Sequence, residues 1–228
     1  EMRYRGLKRI RKTFGKKQIE FSKCGGYELI SSGNDARYNG LSDAVKWLNR
    51  ALRPIIGTKK TFRFDDDAIA EFGFNGISRV ISNEFEGSLH PGKLCQALLA
   101  TVQGMGVNVL TGTEITRYED SSDGVAVFTN HNVELKCDSF LICTNGFAKQ
   151  LLPELEMVPG RGQVLVTAPI PSLKIRGTFH YDEGFYYFRN VGDRLLLGGA
   201  RNMAIEEETT TEMRTSQKIQ HRLEEVIS

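Results

Sequence analysis

An apolar run, Phe140-Leu141-Ile142-Cys143, passes directly into the small polar turn Thr144-Asn145-Gly146, and a helix-like stretch follows without a gap. Strand, small-residue turn and helix in immediate succession let backbone N–H groups approach a phosphate or ribose with no side chain in the way, as in nucleotide-binding sheets. The surrounding chain therefore reads as α/β. The usual companion of such a unit is missing: no G-x-G-x-x-G turn stands between a strand and a helix. Gly104-Met105-Gly106 has Val109 in the third glycine's place and follows a helix, and Gly160-Arg161-Gly162 has Leu165 there and leads into a strand. Glu1 falls inside a charged, helix-like pattern, so the chain is expected to be the middle portion of a longer protein.

Composition narrows the class of partner. The 228 residues are 40% hydrophobic and 25% charged, which suits one large or two small globular domains and excludes wholesale disorder. A net charge of +2 gives no reason to expect nucleic acid or an anionic membrane, and the basic run Lys8 to Lys17 reads as a solvated helix end. The apolar runs are far shorter than the roughly twenty residues of a membrane span. Cys24, Cys95, Cys137 and Cys143 lack C-x-x-C spacing, and reduced thiols in a cytoplasmic protein are expected. Nothing in this balance separates a monomer from a homo-oligomer.

Periodicity supplies the elements. Tyr4, Leu7, Ile10 and Phe14 predict a helix over residues 2 to 14. Ile19 to Lys23 and Tyr27 to Ser31 predict two strands joined as a hairpin by Cys24-Gly25-Gly26, followed by a Gly33-Asn34-Asp35 loop. Leu41, Val45, Leu48 and Leu52 share one helical face, with Pro54 expected to close that helix. One helical turn falls within Asp65 to Phe74, and Ile77 to Phe85 reads as a strand. A helix begins at Pro91 and stops at Gly104, feeding a short buried strand at Val107 to Leu110. An antiparallel meander follows at Glu114 to Glu119, Val125 to Thr129 and Val133 to Lys136. After Pro153 and Pro159 come strands at Gln163 to Thr167, Gly177 to Tyr181, Phe185 to Arg189 and Arg194 to Leu197, then a helix over residues 210 to 227.

Three blocks together resemble the D-amino-acid-oxidase-like FAD-dependent oxidoreductases, the glycine oxidase and sarcosine oxidase type. They are EGSLHPGKLCQALLATVQGMGVNVLTGTEITRYE, the stretch DSFLICTNGFAKQLLPELEMVPGRGQVLVT, and HYDEGFYYFRNVGDRLLLGGAR. The resemblance implies an α/β fold with an α+β part: a mixed substrate-domain sheet with helices on one face, plus a partial FAD-binding, Rossmann-like α/β remnant. Residues 1–86 and 160–228 would form the substrate domain with its following helix, and residues 87–159 the partial FAD-binding domain. It also implies backbone contacts to FAD from Ile115 (adenine) and from Thr144, Asn145 and Gly146 (ribose and pyrophosphate). Tyr186 would reach the substrate, with Phe188 on its face of the strand and Tyr187 and Arg189 on the other. Arg201 would line the pocket and pair with a carboxylate.

The implied chemistry is hydride transfer from the carbon beside an amine, in a small amine or amino acid, to the flavin. A 2-hydroxy acid is the second substrate class, and a truncated module that binds a small acid or serves assembly without catalysis is the competing account. Neither a Ser-His-Asp nor a metal constellation is evident, since His90, His131, His180 and His221 are scattered; His90 and Arg161 read as structural. Tyr186 and Arg201 each have a plainer reading as well, an aromatic core strand and a surface arginine at a strand end. FAD belongs to the full-length protein. With the glycine fingerprint absent from these residues, the chain alone is expected to purify colourless and to bind FAD weakly or not at all; a flavin absorbance band retained through gel filtration is the opposite result.

Overall fold

The computed structural model describes residues 1–33 and 38–227, so Asn34 and Asp35 of the expected loop lie outside the described residues. The chain divides into two compact units: Glu1–Thr101 with Gln163–Met203 and the segment from Thr215 onward, and Val102–Gly162 with Ala204–Arg214.

The first unit is built on a seven-stranded mixed sheet. In chain order its strands are β1 (Gly26–Ser31), β2 (Arg63–Phe64) and β3 (Ile77–Asn83), then β7 (Val164–Val166), β8 (Thr178–Tyr181), β9 (Tyr186–Val191) and β10 (Arg194–Gly199). They lie side by side in the order β2-β3-β1-β8-β9-β10-β7. Among the described residues only β1 and β8 run parallel, with Gly26 opposite Thr178 and Leu29 opposite Tyr181, and the other pairings in this sheet are antiparallel. The mixed α/β architecture expected from the sequence is thus present. Its helices are α1 (Met2–Phe14), α2 (Leu41–Ile56), α3 (Asp67–Phe72), most of α4 (Pro91–Gly104) and α5 (Gln217–Ile227).

Strand alternation sorts the side chains onto two faces. On one face Leu29, Val80 and Phe179 pack with Ala68 and Phe72 of α3, and Tyr27, Tyr181 and Phe188 join them. Phe179, 1% exposed, is the hub. It stacks on Phe188 at 4.7 Å and on Tyr27 at 4.8 Å, and meets Phe72 edge-on at 5.2 Å. Geometries of this kind add about 0.5–1.5 kcal/mol per pair to simple area burial. On the other face Ile30 and Ile81 pack against Val45 of α2. Asn49 fixes α2 to the following loop by exchanging two 2.8 Å hydrogen bonds with the backbone of Phe62. Asp66, just before α3, accepts from the Val80 amide and from Arg79, which ties that helix to β3.

Several expected elements differ, each for a physical reason. Ile19 to Lys23 forms no hairpin with β1. It makes a single bridge, Ser22 to Ser88, because β3 and β8 already occupy both edges of β1. Pro54 does not end α2: the helix runs to Ile56 and stops at Gly57 in the left-handed region, since a proline in the last turn forfeits only its own N–H bond. Val107 to Leu110 and Phe140 to Cys143 are not strands. Among the described residues no strand pairs with either, and a β-strand exists only through its ladder; Leu141 is 83% exposed. The last helix begins at Gln217 instead of near residue 210.

The second unit carries the antiparallel meander β4 (Ile115–Ser121), β5 (Gly124–Thr129) and β6 (Glu134–Cys137), as expected. Removing the hub of the first unit tests the packing argument. Phe179→Ala should destabilise the fold by about 3–5 kcal/mol in urea denaturation, and Phe179→Leu by clearly less, because leucine refills part of the cavity.

Candidate functional site

In the second unit the turn Thr144-Asn145-Gly146 opens a 3-10 helix, Asn145–Gln150, in place of an α-helix. Asn145 has φ 47°, a left-handed backbone that asparagine tolerates. Thr144 and Asn145 are exposed, and a Cβ placed on Gly146 would meet only Pro159, at 3.6 Å. The backbone here is open to a ligand, but no crowding demands glycine. Ile115 starts β4 opposite Thr129, just before a register shift. The same unit holds a fork-to-fork ion pair: Arg161 donates from Nε to Glu208 Oε2 at 2.9 Å and from Nη2 to Oε1 at 2.7 Å. The Arg161 amide also donates to the Glu208 carbonyl, at 2.8 Å. Glu208 is 1% exposed. A buried carboxylate is tolerated only when paired in this way, which confirms the structural reading of Arg161.

In the first unit Tyr186 starts β9 opposite Gly199, the last residue of β10, and Arg201 follows two residues on. The topology therefore brings Tyr186 and Arg201 to one end of the sheet. Their environments differ sharply. Tyr186 lies on the face of the sheet that α3 and α5 cover; it is 2% exposed, and its hydroxyl accepts a 3.0 Å hydrogen bond from Arg222 Nε of α5. Arg222 is held in turn by Glu225 at 2.7 Å, and these contacts raise its already high pKa while Glu225 is lowered by Arg222. Arg201 is exposed in a short 3-10 helix and has no hydrogen-bond or ion-pair partner among the described residues. Arg189 and Arg194, by contrast, donate to the carbonyls of Leu89 and Thr167.

Tyr187 lies on the opposite face, 38% exposed, with its ring over Gly198, where a Cβ would stand 2.5 Å from the ring. Pairing across the sheet aligns it with two residues that sequence reasoning did not single out. His180 of β8 sits opposite Tyr187, and Glu28 of β1 opposite His180. His180 Nδ1 is 3.7 Å from a Glu28 oxygen. That interaction raises the His180 pKa; partial burial works against it, and the charges of Glu28 and Glu86 add to it. In the sequence His180 is one of four scattered histidines. Only the parallel pairing of β1 with β8 brings it to Glu28, and no local sequence signal reports that pairing. His90 accepts from the Lys93 amide at the start of α4, in keeping with its structural reading. Among the described residues there is no cluster of side chains that could hold a metal ion, and no helix is long and apolar enough to cross a membrane.

The first unit thus carries helices on both faces of its sheet, α3 on one and α2 on the other, and the second unit carries the meander and the exposed turn. Comparison specifies the class: the family model described as "FAD dependent oxidoreductase" matches residues 1–228, and the chain belongs to that family. The fold is shared with L-proline dehydrogenase from P. horikoshii (13% identity, TM-score 0.74, covering 98% of this chain and 60% of that one). It is shared also with glycine oxidases from Geobacillus kaustophilus (16%, 0.69, 99% and 60%) and Bacillus cereus (14%, 0.74, 99% and 61%). The chain thus spans about 60% of the length of these structures. A search of curated protein sequences finds no match.

The Glu28–His180 pair has a measurable signature. A folded-state pKa raised above the ordinary value near 6.5 makes the pair stabilising at pH below that value, and the stabilisation is lost as pH rises through the folded pKa. The imidazole resonances of His180 should therefore titrate above the ordinary value and fall back in Glu28→Gln. The stability gap between wild type and Glu28→Gln should close with rising pH over the same window, as read by denaturation at a series of pH values.

Proposed function

We propose that this chain provides the substrate domain and part of the FAD-binding surface of an enzyme that oxidises a small amine or amino acid by hydride transfer to flavin. The seven-stranded unit is the substrate domain, and the turn at Thr144, Asn145 and Gly146, with Ile115, borders the cofactor. The observation that carries the reading is the family match over the whole chain. The open backbone at residues 144–146 fits a group that binds through main-chain contacts, since no side chain blocks the approach. FAD, when bound, supplies the electrophilic ring that accepts the hydride.

The side chains of this domain then have to hold the substrate. Arg201, exposed at the sheet end and without a partner among the described residues, is the proposed anchor for a carboxylate, because a guanidinium matches its two oxygens with parallel hydrogen bonds. Tyr186 stands beside it in the backbone, but its hydroxyl is engaged by Arg222 on the covered face. We assign Tyr186 to positioning through Arg222, and the substrate side to Tyr187, which is 38% exposed on the opposite face.

Steady-state kinetics of the full-length protein test this reading. An amino acid should bleach the flavin absorbance under anaerobic conditions; bleaching by a 2-hydroxy acid alone would move the substrate class, and bleaching by neither would favour a non-catalytic module. Arg201→Ala should raise KM for a carboxylate-bearing amine more than for its counterpart lacking the carboxylate. Tyr187→Phe should weaken transition-state binding by about 1–3 kcal/mol, the scale of a lost polar partner, while Tyr186→Phe should act mainly on stability. The reverse order for the two tyrosines would return the substrate contact to Tyr186.

A further inference from the structure

Between α2 and the β3–β1–β8 part of the sheet lies a cavity of about 230 Å³. One wall is apolar and comes mainly from α2, through Leu41, Ala44, Val45 and Leu48. The opposite end is polar and carries Glu28, Glu86, His180 and Asn83. Both carboxylates are held in place. Glu86 accepts a 2.9 Å hydrogen bond from Asn83 Nδ2 and lies over Gly26, where any Cβ would overlap its carboxylate. Glu28 is held by His180 at 3.7 Å. Among the described residues no lysine or arginine lines the cavity.

Two fixed carboxylates facing one histidine leave this end of the cavity anionic near neutral pH. The raised pKa of His180 reports the same negative field. Such a site favours a cation and disfavours an anion, while the apolar wall gains by covering hydrocarbon. The volume is below the roughly 300–1,000 Å³ of drug-sized pockets and above the roughly 150 Å³ that suffices for benzene, so the ligand must be small. We propose that this cavity is a binding site for a small aliphatic amine, whose ammonium group sits between Glu28 and Glu86 and whose carbon chain lies along α2. The site requires no flavin and does not rest on the oxidoreductase reading.

Calorimetric titration of this chain with isopentylamine, beside isopentanol as its neutral counterpart, tests the proposal without any cofactor. Saturable binding of the amine is expected, at least about tenfold tighter than the alcohol. Glu28→Gln and Glu86→Gln, which preserve shape and remove charge, should each weaken the amine by about tenfold and leave the alcohol unchanged. Ala44→Phe, which fills the cavity from an exposed helix position, should abolish binding while the far-ultraviolet circular dichroism stays the same. Absence of saturable amine binding, equal binding of the alcohol, or indifference to both glutamine substitutions would overturn the proposal. Loss of this site would leave the proposed flavin chemistry untouched, since that is read from the full-length protein's absorbance.

Discussion

The parallel contact between β1 and β8 is the constraint on which the first unit depends. It joins Gly26 to Thr178, and the Thr178 amide and hydroxyl both donate to the carbonyl of Gly25. Without it the sheet would fall into a β2-β3-β1 piece and a β8-β9-β10-β7 piece, and the apolar cluster that Leu29 and Val80 of one share with Phe179 and Phe188 of the other would be divided. Gly177 permits the approach: at φ 139° it enters β8 beside Tyr27, and a Cβ there would stand 2.7 Å from the tyrosine ring. Phe179 then sits one residue past the junction and gathers aromatic rings from both pieces, Tyr27 from one and Phe188 from the other. Backbone pairing and core packing are thus two aspects of one long-range contact.

The dependence on distant pairing explains what the sequence did and did not reveal. Helices α1, α2 and α4 and the β4-β5-β6 meander were legible because their periodicity and turns are local. The hairpin of β9 and β10, which turns at Gly192-Asp193, is local in the same sense. Ile19 to Lys23 has the local pattern of half a hairpin, and nothing nearby shows that the edges of β1 are taken by residues far along the chain. Val107 to Leu110 and Phe140 to Cys143 carry the composition of buried strands, yet composition cannot supply a hydrogen-bonding neighbour.

The candidate site divides along the same line. Alternation along β9 correctly separated Tyr186 and Phe188 from Tyr187 and Arg189, but a strand's period does not say which side a helix will cover. Arg222 settles that for Tyr186, from a helix whose packing on β7 and β10 is a tertiary matter. The row Glu28, His180, Tyr187 was invisible for a related reason: its members come from three strands, and only the register places them on one line. Arg201 and the turn at Thr144 to Gly146 are candidates drawn from contiguous motifs, which a sequence displays directly.

The Arg161–Glu208 fork closes a stretch of 47 residues that contains β7, β8, β9 and β10. A non-covalent clasp of this kind lowers the entropy that the strands between would otherwise keep, and its closure term grows only slowly with length, by roughly 0.6 kcal/mol per doubling. The hairpin tip at Gly192-Asp193 and the crossing from Thr167 to Gly177 are therefore places where residues can be added while the clasp still shuts. Variation in length can accumulate inside this stretch of the chain, over the part of the sheet that bears Tyr187 and leads to Arg201, with the frame around it left alone.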